Sequence, residues 1–425
     1  MNPLPWLAAC VLAGSLAGTP ARAQPAASPQ GLLARLPSTP GPMAGTVSLR
    51  AALDAAWQRA VAARESDGQR RLAEADRAAA DSVWAAPPAL ALSHRDDRLQ
   101  RNAGARETEI GVAVPLWLPG QRAARSGTAD AALLQSLAAE QVARLRLAGD
   151  LREAAWQLAA LQAQTTQADA QVQVLKHLAG DVERRVRAGD LARADALAAM
   201  AEQLAASTLQ SEVQQRLQAA NARWTLLTGL TAAPDLTAAS TGDGAAATAA
   251  QHPEMQLASL STALARQRVA LMRHSRRDAP ELTVGLRQDV PGRAEAAQGS
   301  LVVALRLPFG TDGRNRPLEA AALTQLDVAE THAQRLRERL DSDLAAARAA
   351  QRSTESQVDT ETTRARLLRE RASLIDKSFR AGETSLPDLL RALAAAAHAD
   401  SAVAHQTAAL GHARARLQQA LGLLP

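Results

Sequence analysis

Apolar residues recur along this chain in two alternating periods. From Leu147 through Leu151, Ala154, Leu158, Leu161, Thr165, Ala168, Val172, Leu175, Ala179 and Val182 to Val186 they step by four and three. That is coiled-coil spacing, with enough small residues to let helices approach closely. No proline falls between Gly120 and Arg187, so the pattern predicts one helix of about 67 residues, about 100 Å long. Upstream the period drops to two. Ile110, Val112, Val114 and Leu116 alternate with Glu109, Gly111, Ala113 and Pro115, and Leu90 and Leu92 make a shorter run of the same kind. Alternation of this sort predicts strands with one apolar face, here joined as a hairpin. Residues 47 to 84 read as a preceding helix, ended by Pro87 and Pro88.

The same order returns 193 residues later. Leu282, Val284 and Leu286, then Leu301, Val303, Leu305 and Leu307, alternate with small or polar residues. A second seam follows at Leu340, Leu344, Ala347, Val358, Ala365, Leu368, Ala372, Ile375 and Phe379, with Gln351, Thr354 and Glu361 in its looser middle. Proline and glycine landmarks keep the offset: Pro87 and Pro280, Pro115 and Pro308, Gly120 and Gly313, Gly229 and Gly422. So do "RVRAGDLARADALAA" and "SFRAGETSLPDLLRA", which align Arg187 with Arg380, Gly189 with Gly382, Asp190 with Glu383 and Asp195 with Asp388. Landmarks at one spacing point to internal duplication. The glycine ends a long helix in a left-handed cap and the aspartate opens the return helix, where its charge suits the dipole. Each copy is thus a short helix, two strands, a long helix, a tip and a return helix of about 34 residues.

The expected organisation is a signal peptide (1–23), an extended lead-in (24–46), a first repeat (47–230), a linker (231–251) and a second repeat (252–425). Leu4 to Ala17 is apolar and too short to span a bilayer, and Ala21-Arg22-Ala23 offers a small-x-small cleavage site. Cys10, the single cysteine, sits in "LAAC", so lipidation there is a second reading. Beyond the signal no run of 18 apolar residues remains, which leaves strands as the route across a membrane. Strands of roughly 9 to 11 residues have the length a tilted crossing needs.

Composition narrows the classes. The chain has 425 residues, 47% of them hydrophobic, but only two Phe, six Trp and no Tyr. This suits close-packed helices better than a thick globular core. The net charge of +5 is spread beside acidic residues, with no basic block interleaved with aromatics, so nucleic acid is not an expected partner. There is no nucleophile elbow, phosphate loop, HExxH or cysteine pair, so neither an enzyme nor a cofactor is expected. His398, His405 and His412 recur every seven residues. They lie about 10 Å apart on one helix face, too far for one ion within a chain, and a metal would need rings of them from several copies.

Four strands cannot close a barrel, and open edges are forbidden in lipid. Membrane-inserted strands would therefore require several copies. The duplicated pattern, the paired tips, the passages "VPLWLPGQRA" and "LRLPFGTDGRNRP", and the closing "LTGL" and "LGLL" resemble the TolC family of outer-membrane efflux proteins. The resemblance covers nearly the whole mature chain, and the second passage looks most like the outer-membrane component of heavy-metal cation efflux systems. It implies a mainly α fold with a membrane β-barrel: a homotrimer with twelve strands, four from each copy, continued by an α-helical tunnel into the periplasm. It further implies a periplasmic adaptor and an inner-membrane resistance-nodulation-division pump as partners, in the outer membrane of a Gram-negative bacterium. The tips Arg187, Gly189, Asp190, Asp195, Arg380, Gly382, Glu383 and Asp388 would contact the adaptor or gate the tunnel. Leu90, Leu92, Ile110, Val112, Val114, Leu282, Val284, Leu286, Leu301, Val303 and Leu305 would face lipid, with Trp84 and Trp117 as interface anchors. The alternatives are a periplasmic coiled-coil scaffold or adaptor and, within the same class, an exit duct for drug efflux or type I protein secretion.

Overall fold

The computed structural model describes residues 45–99, 102–236, 251–310 and 312–425. The signal segment with Cys10, nearly all of the lead-in and most of the linker lie outside the described residues. A short strand β1 (Thr46–Ser48) leads into α1 (Leu49–Arg59) and α2 (Val61–Ala80), then β2 (Ala89–Asp96), β3 (Arg106–Pro115), α3 (Gln121–Ala188) and α4 (Arg193–Thr228). After β4 (Ala233–Asp235) come α5 (Pro253–His274), β5 (Glu281–Val290), β6 (Gln298–Arg306), α6 (Asp312–Arg380) and α7 (Leu386–Ala420).

The two long helices run 68 and 69 residues. The seam residues expected on each are all buried or half-buried, the loose middle of the second seam included. Around them the shorter helices form two storeys. Nearer the strands the packing order is α2–α3–α5–α6, and nearer the tips α4–α3–α7–α6. At the level between, Leu49, Ala52 and Leu53 of α1 close a core with Leu151, Ala155 and Leu158 of α3 and Ala220 and Trp224 of α4.

Three features depart from the expectations. Residues 47–84 are not one helix: Ala60 is extended (φ −69°, ψ 137°) and splits α1 from α2. No glycine or proline marks the break; α1 turns to pack on both α3 and α4, whereas α2 follows α3. Secondly, β1 and β4 pair in parallel, Thr46 with Ala233 and Ser48 with Asp235, so a strand lies within the stretch read as linker. Thirdly, the left-handed turn before α6 is at Gly310 (φ 73°), not at Gly313, the offset equivalent of Gly120 (φ 77°). Gly313 is already helical.

The four longer strands form an antiparallel sheet in the order β2-β3-β5-β6, with β2 and β6 as open edges. Among the described residues no helix is long and apolar enough to cross a membrane.

Candidate functional site

The strand register gathers the expected lipid-facing residues into three cross-strand rows on one face. Leu92, Ile110, Leu286 and Leu301 form the first; Leu90, Val112, Val284 and Val303 the second; Val114, Leu282 and Leu305 the third. Val112 is 44% exposed and Leu90 71%, and only Val114 and Leu282 are half-buried. A contiguous apolar face of this kind is unusual in water and marks an interaction surface. The other face is small and polar. Gly111 pairs with Gly285, Ala113 with Thr283, and Glu107 forms an ion pair with Arg287. A Cβ at Gly285 would lie 2.6 Å from the Ile110 carbonyl oxygen and 2.8 Å from Gly111 Cα, so the strands come closest on this side.

The tips lie at the opposite end. Both long helices end in the same hydrogen-bonded cap. The Asp190 N–H donates to the Arg185 carbonyl (2.9 Å) and Gly189 N–H to Val186 (3.1 Å); Glu383 donates to Ser378 (3.0 Å) and Gly382 to Phe379 (3.1 Å). This geometry needs a left-handed residue, and Gly189 (φ 89°) and Gly382 (φ 83°) supply it. Each aspartate sits three residues into the return helix. Asp195 accepts from the Ala192 N–H (3.2 Å), while Asp388 accepts from Ser385 Oγ and from Arg391, both at 2.6 Å. Asp195 thus caps the backbone at the start of α4, whereas Asp388 holds the side chains of Ser385 and Arg391 instead. Arg187, Asp190, Arg380 and Glu383 are exposed, with Arg380 held by Asp376 at 2.8 Å.

The two tips are brought together in one small core of Val182, Ala199, Phe379, Leu386 and Leu389. Arg185 stacks its guanidinium over the Phe379 ring, a link the sequence did not single out. Also missed were apolar stripes on the outer helices: Leu197, Met200 and Leu204 on α4, and Leu367 and Leu374 on α6, all exposed. Their three-, four- and seven-residue spacing was present, but obscured by the alanines around it.

The histidines do not act as a set within the chain. His412 pairs with Glu153 of α3, while His398 and His405 are exposed. Among the described residues, no group of three or more His, Cys, Asp or Glu side chains could hold a metal ion. Two buried titratable groups were not foreseen. Arg152 is 3% exposed and donates to Gln419 Oε1 (2.6 Å) and the Leu423 carbonyl (2.8 Å), its Nε unpartnered. Burial away from any carboxylate lowers its pKa to about 10. His252 caps α5, its Nδ1 accepting from the Glu254 N–H at 3.2 Å. Burial pushes its pKa down, against opposing pulls from Glu254 and the Gln419 backbone.

The fold is shared with solved outer-membrane proteins. The structure is similar to the outer membrane protein VceC from Vibrio cholerae, with a TM-score of 0.71 and 16% identity over 88% of this chain and 96% of that one. It is also similar to CusC (TM-score 0.74, 16% identity, 92% and 98% covered) and to the Campylobacter jejuni CmeC outer membrane channel (TM-score 0.70, 13% identity, 88% and 85% covered). At such identities the likeness establishes the fold. No family model matches the sequence, and no curated protein matches it.

Proposed function

We propose that the protein is the outer-membrane exit duct of a tripartite efflux system, a member of the TolC family that assembles as a trimer and performs no chemistry of its own. The observation that carries this reading is the three-row apolar face, exposed on a sheet whose two edges are open. In lipid an open edge is untenable. A head-to-tail ring that pairs β6 of one copy with β2 of the next removes both edges and turns the apolar face outward. The close approach at Gly111 and Gly285 suits the inner, concave side.

The helices support the same ring. On one flank the protomer ends in β2, α2 and α4, on the other in β6 and α6. Both flanks carry exposed apolar residues at matching heights: Leu72 on α2 against Val328 on α6, and Leu197 on α4 against Leu374 on α6. An interface between two different flanks closes into a ring if the rotation permits. The helices then form a tube about 100 Å long, whose tips meet a periplasmic adaptor and an inner-membrane pump. Heavy-metal cations, drugs and secreted proteins are all candidate cargoes for such a duct.

The test is a Leu197→Cys, Leu374→Cys double variant oxidised in cells. A ladder that ends at three copies, in a fraction that stays with the outer membrane through a salt wash, supports the duct. Monomer alone, or release by salt, replaces it with a periplasmic scaffold.

A further inference from the structure

The two halves differ where α6 meets α7, beside a cavity of about 670 Å³ that α3 and the start of α5 also wall. Its walls include Ala346 and Ala350 of α6 and Ala409 and Ala420 of α7. At the offset of 193 the first half has Glu153, Gln157, Arg216 and Leu227 in these places. Four long side chains have been replaced by methyl groups on facing helices. No residue of α6 between Leu340 and Ala365 is fully buried.

One substitution leaves a trace in the polar groups. In the first half Arg223 donates to Gln157 Oε1 at 3.2 Å. Its equivalent, Arg416, is retained and lines the cavity, but Gln157 has become Ala350, so the acceptor is gone. Among the described residues Arg416 makes no hydrogen bond or ion pair. The other charges on the wall have partners: Arg339 lies 3.5 Å from both Glu254 and Asp343, Arg146 adds a second cation 3.8 Å from Glu254, and His412 is held by Glu153. The cavity therefore offers an alanine- and leucine-lined body and, on its solvent-exposed side, one cation without a protein partner among the described residues. This is the usual make-up of a small-molecule site, mostly apolar with few placed polar groups.

We propose that this cavity binds an amphiphilic organic anion, with its apolar body along the alanines and its acidic head on Arg416. The space accommodates a chain of about twelve carbons at roughly 30 Å³ per methylene, well inside the usual size of a ligand pocket. A bilayer phospholipid is not the source on the duct reading. The cavity lies about 28 residues along α6 from its strand end, or about 42 Å. A free carboxylate or sulfate amphiphile is.

The test uses dodecanoate, titrated calorimetrically into the full-length protein in nanodiscs of zwitterionic lipid, with empty nanodiscs subtracted. Wild type is expected to bind one molecule per protomer. Ala350→Gln, which restores the first half's acceptor and fills the space, and Arg416→Gln should each weaken binding at least tenfold. Dodecyltrimethylammonium should not compete. Ala350→Gln copies a side chain already accommodated in the other half, and thermal melts check that both variants fold. Absence of wild-type binding, wild-type affinity in both folded variants, or equal competition by the cation overturns the site. The site stands apart from the duct: loss of binding says nothing against transport, and a failed duct leaves the binding result intact.

Discussion

The Arg185 guanidinium lies 5.1 Å from the centre of the Phe379 ring and donates from Nη1 to the Phe379 carbonyl at 3.4 Å. One residue thereby ties the end of the first helical hairpin to the end of the second. With the Phe379 ring buried and Arg185 half-buried, the cation–π pair contributes about 1 to 2 kcal/mol, enough to bias a tip without holding the fold together. Arg185→Ala should leave trimer yield and Tm near wild type and raise the ion conductance of the closed channel in planar bilayers. Unchanged conductance would make the pair a packing contact only.

Substitutions at the tip glycines act differently. Gly189 and Gly382 have positive φ and nothing within 4 Å of an added Cβ. Arginine at either place meets only backbone strain, about 1 to 2 kcal/mol for a left-handed residue. Gly189→Arg and Gly382→Arg should assemble normally yet weaken adaptor cross-linking and efflux. Asp388→Ala should make the closed channel leakier, because it frees Ser385 and Arg391 at the tip. Variants that fold with all three readouts intact would reduce the tips to helix caps.

The apolar sheet face can be tested by charge. Val112 and Val303 occupy the middle row of the face, both paired to Val284. Arginine at either site should cost about 2 to 4 kcal/mol if that row lies at the bilayer midplane. Heat-stable trimer in outer-membrane fractions should fall sharply for Val112→Arg and Val303→Arg. Arginine at Ala113, on the opposite face, should be milder. Normal assembly of both valine variants would mean that the face does not meet lipid.

His252 predicts a pH dependence. Burial lowers its folded-state pKa, so the unfolded chain takes up the proton first. The neutral cap's contribution is complete above about pH 6.5. It is lost as the pH falls below that value toward the lowered folded-state pKa. Protonation removes the acceptor for the Glu254 N–H and adds charge near Arg339. Tm should therefore drop between pH 7.5 and 5.5, and His252→Asn, which can still cap, should flatten that part of the slope. An unchanged slope in the variant would assign the acid sensitivity elsewhere.

Much of this molecule is visible in the chain because repetition and periodicity act over long stretches. Both seams, both glycine tips and all three apolar rows follow from local spacing. What escaped has tertiary causes. Ala60 looks like any other alanine, and only the diverging partners of α1 and α2 break the helix there. Strands of three residues such as β1 and β4 are too short to show a period. Arg152 reads as one more surface arginine until α7 and the chain's last residues close over it. The cavity at Arg416 needed the two halves compared position by position as well as in space.

The joints between the shorter helices fall at one height. Gly229, just after α4, meets Arg59 at the end of α1, and Gly422, just after α7, meets His252 and Pro253 at the start of α5. Duplication has set the two joints level instead of staggering them as a mason staggers bricks. Among the described residues, only α3 and α6 run through at that height. The first of the two joints is bridged by α1, whose core with α3 and α4 lies at this level. Torque applied at the tips would reach the strands at the far end through these two continuous rods.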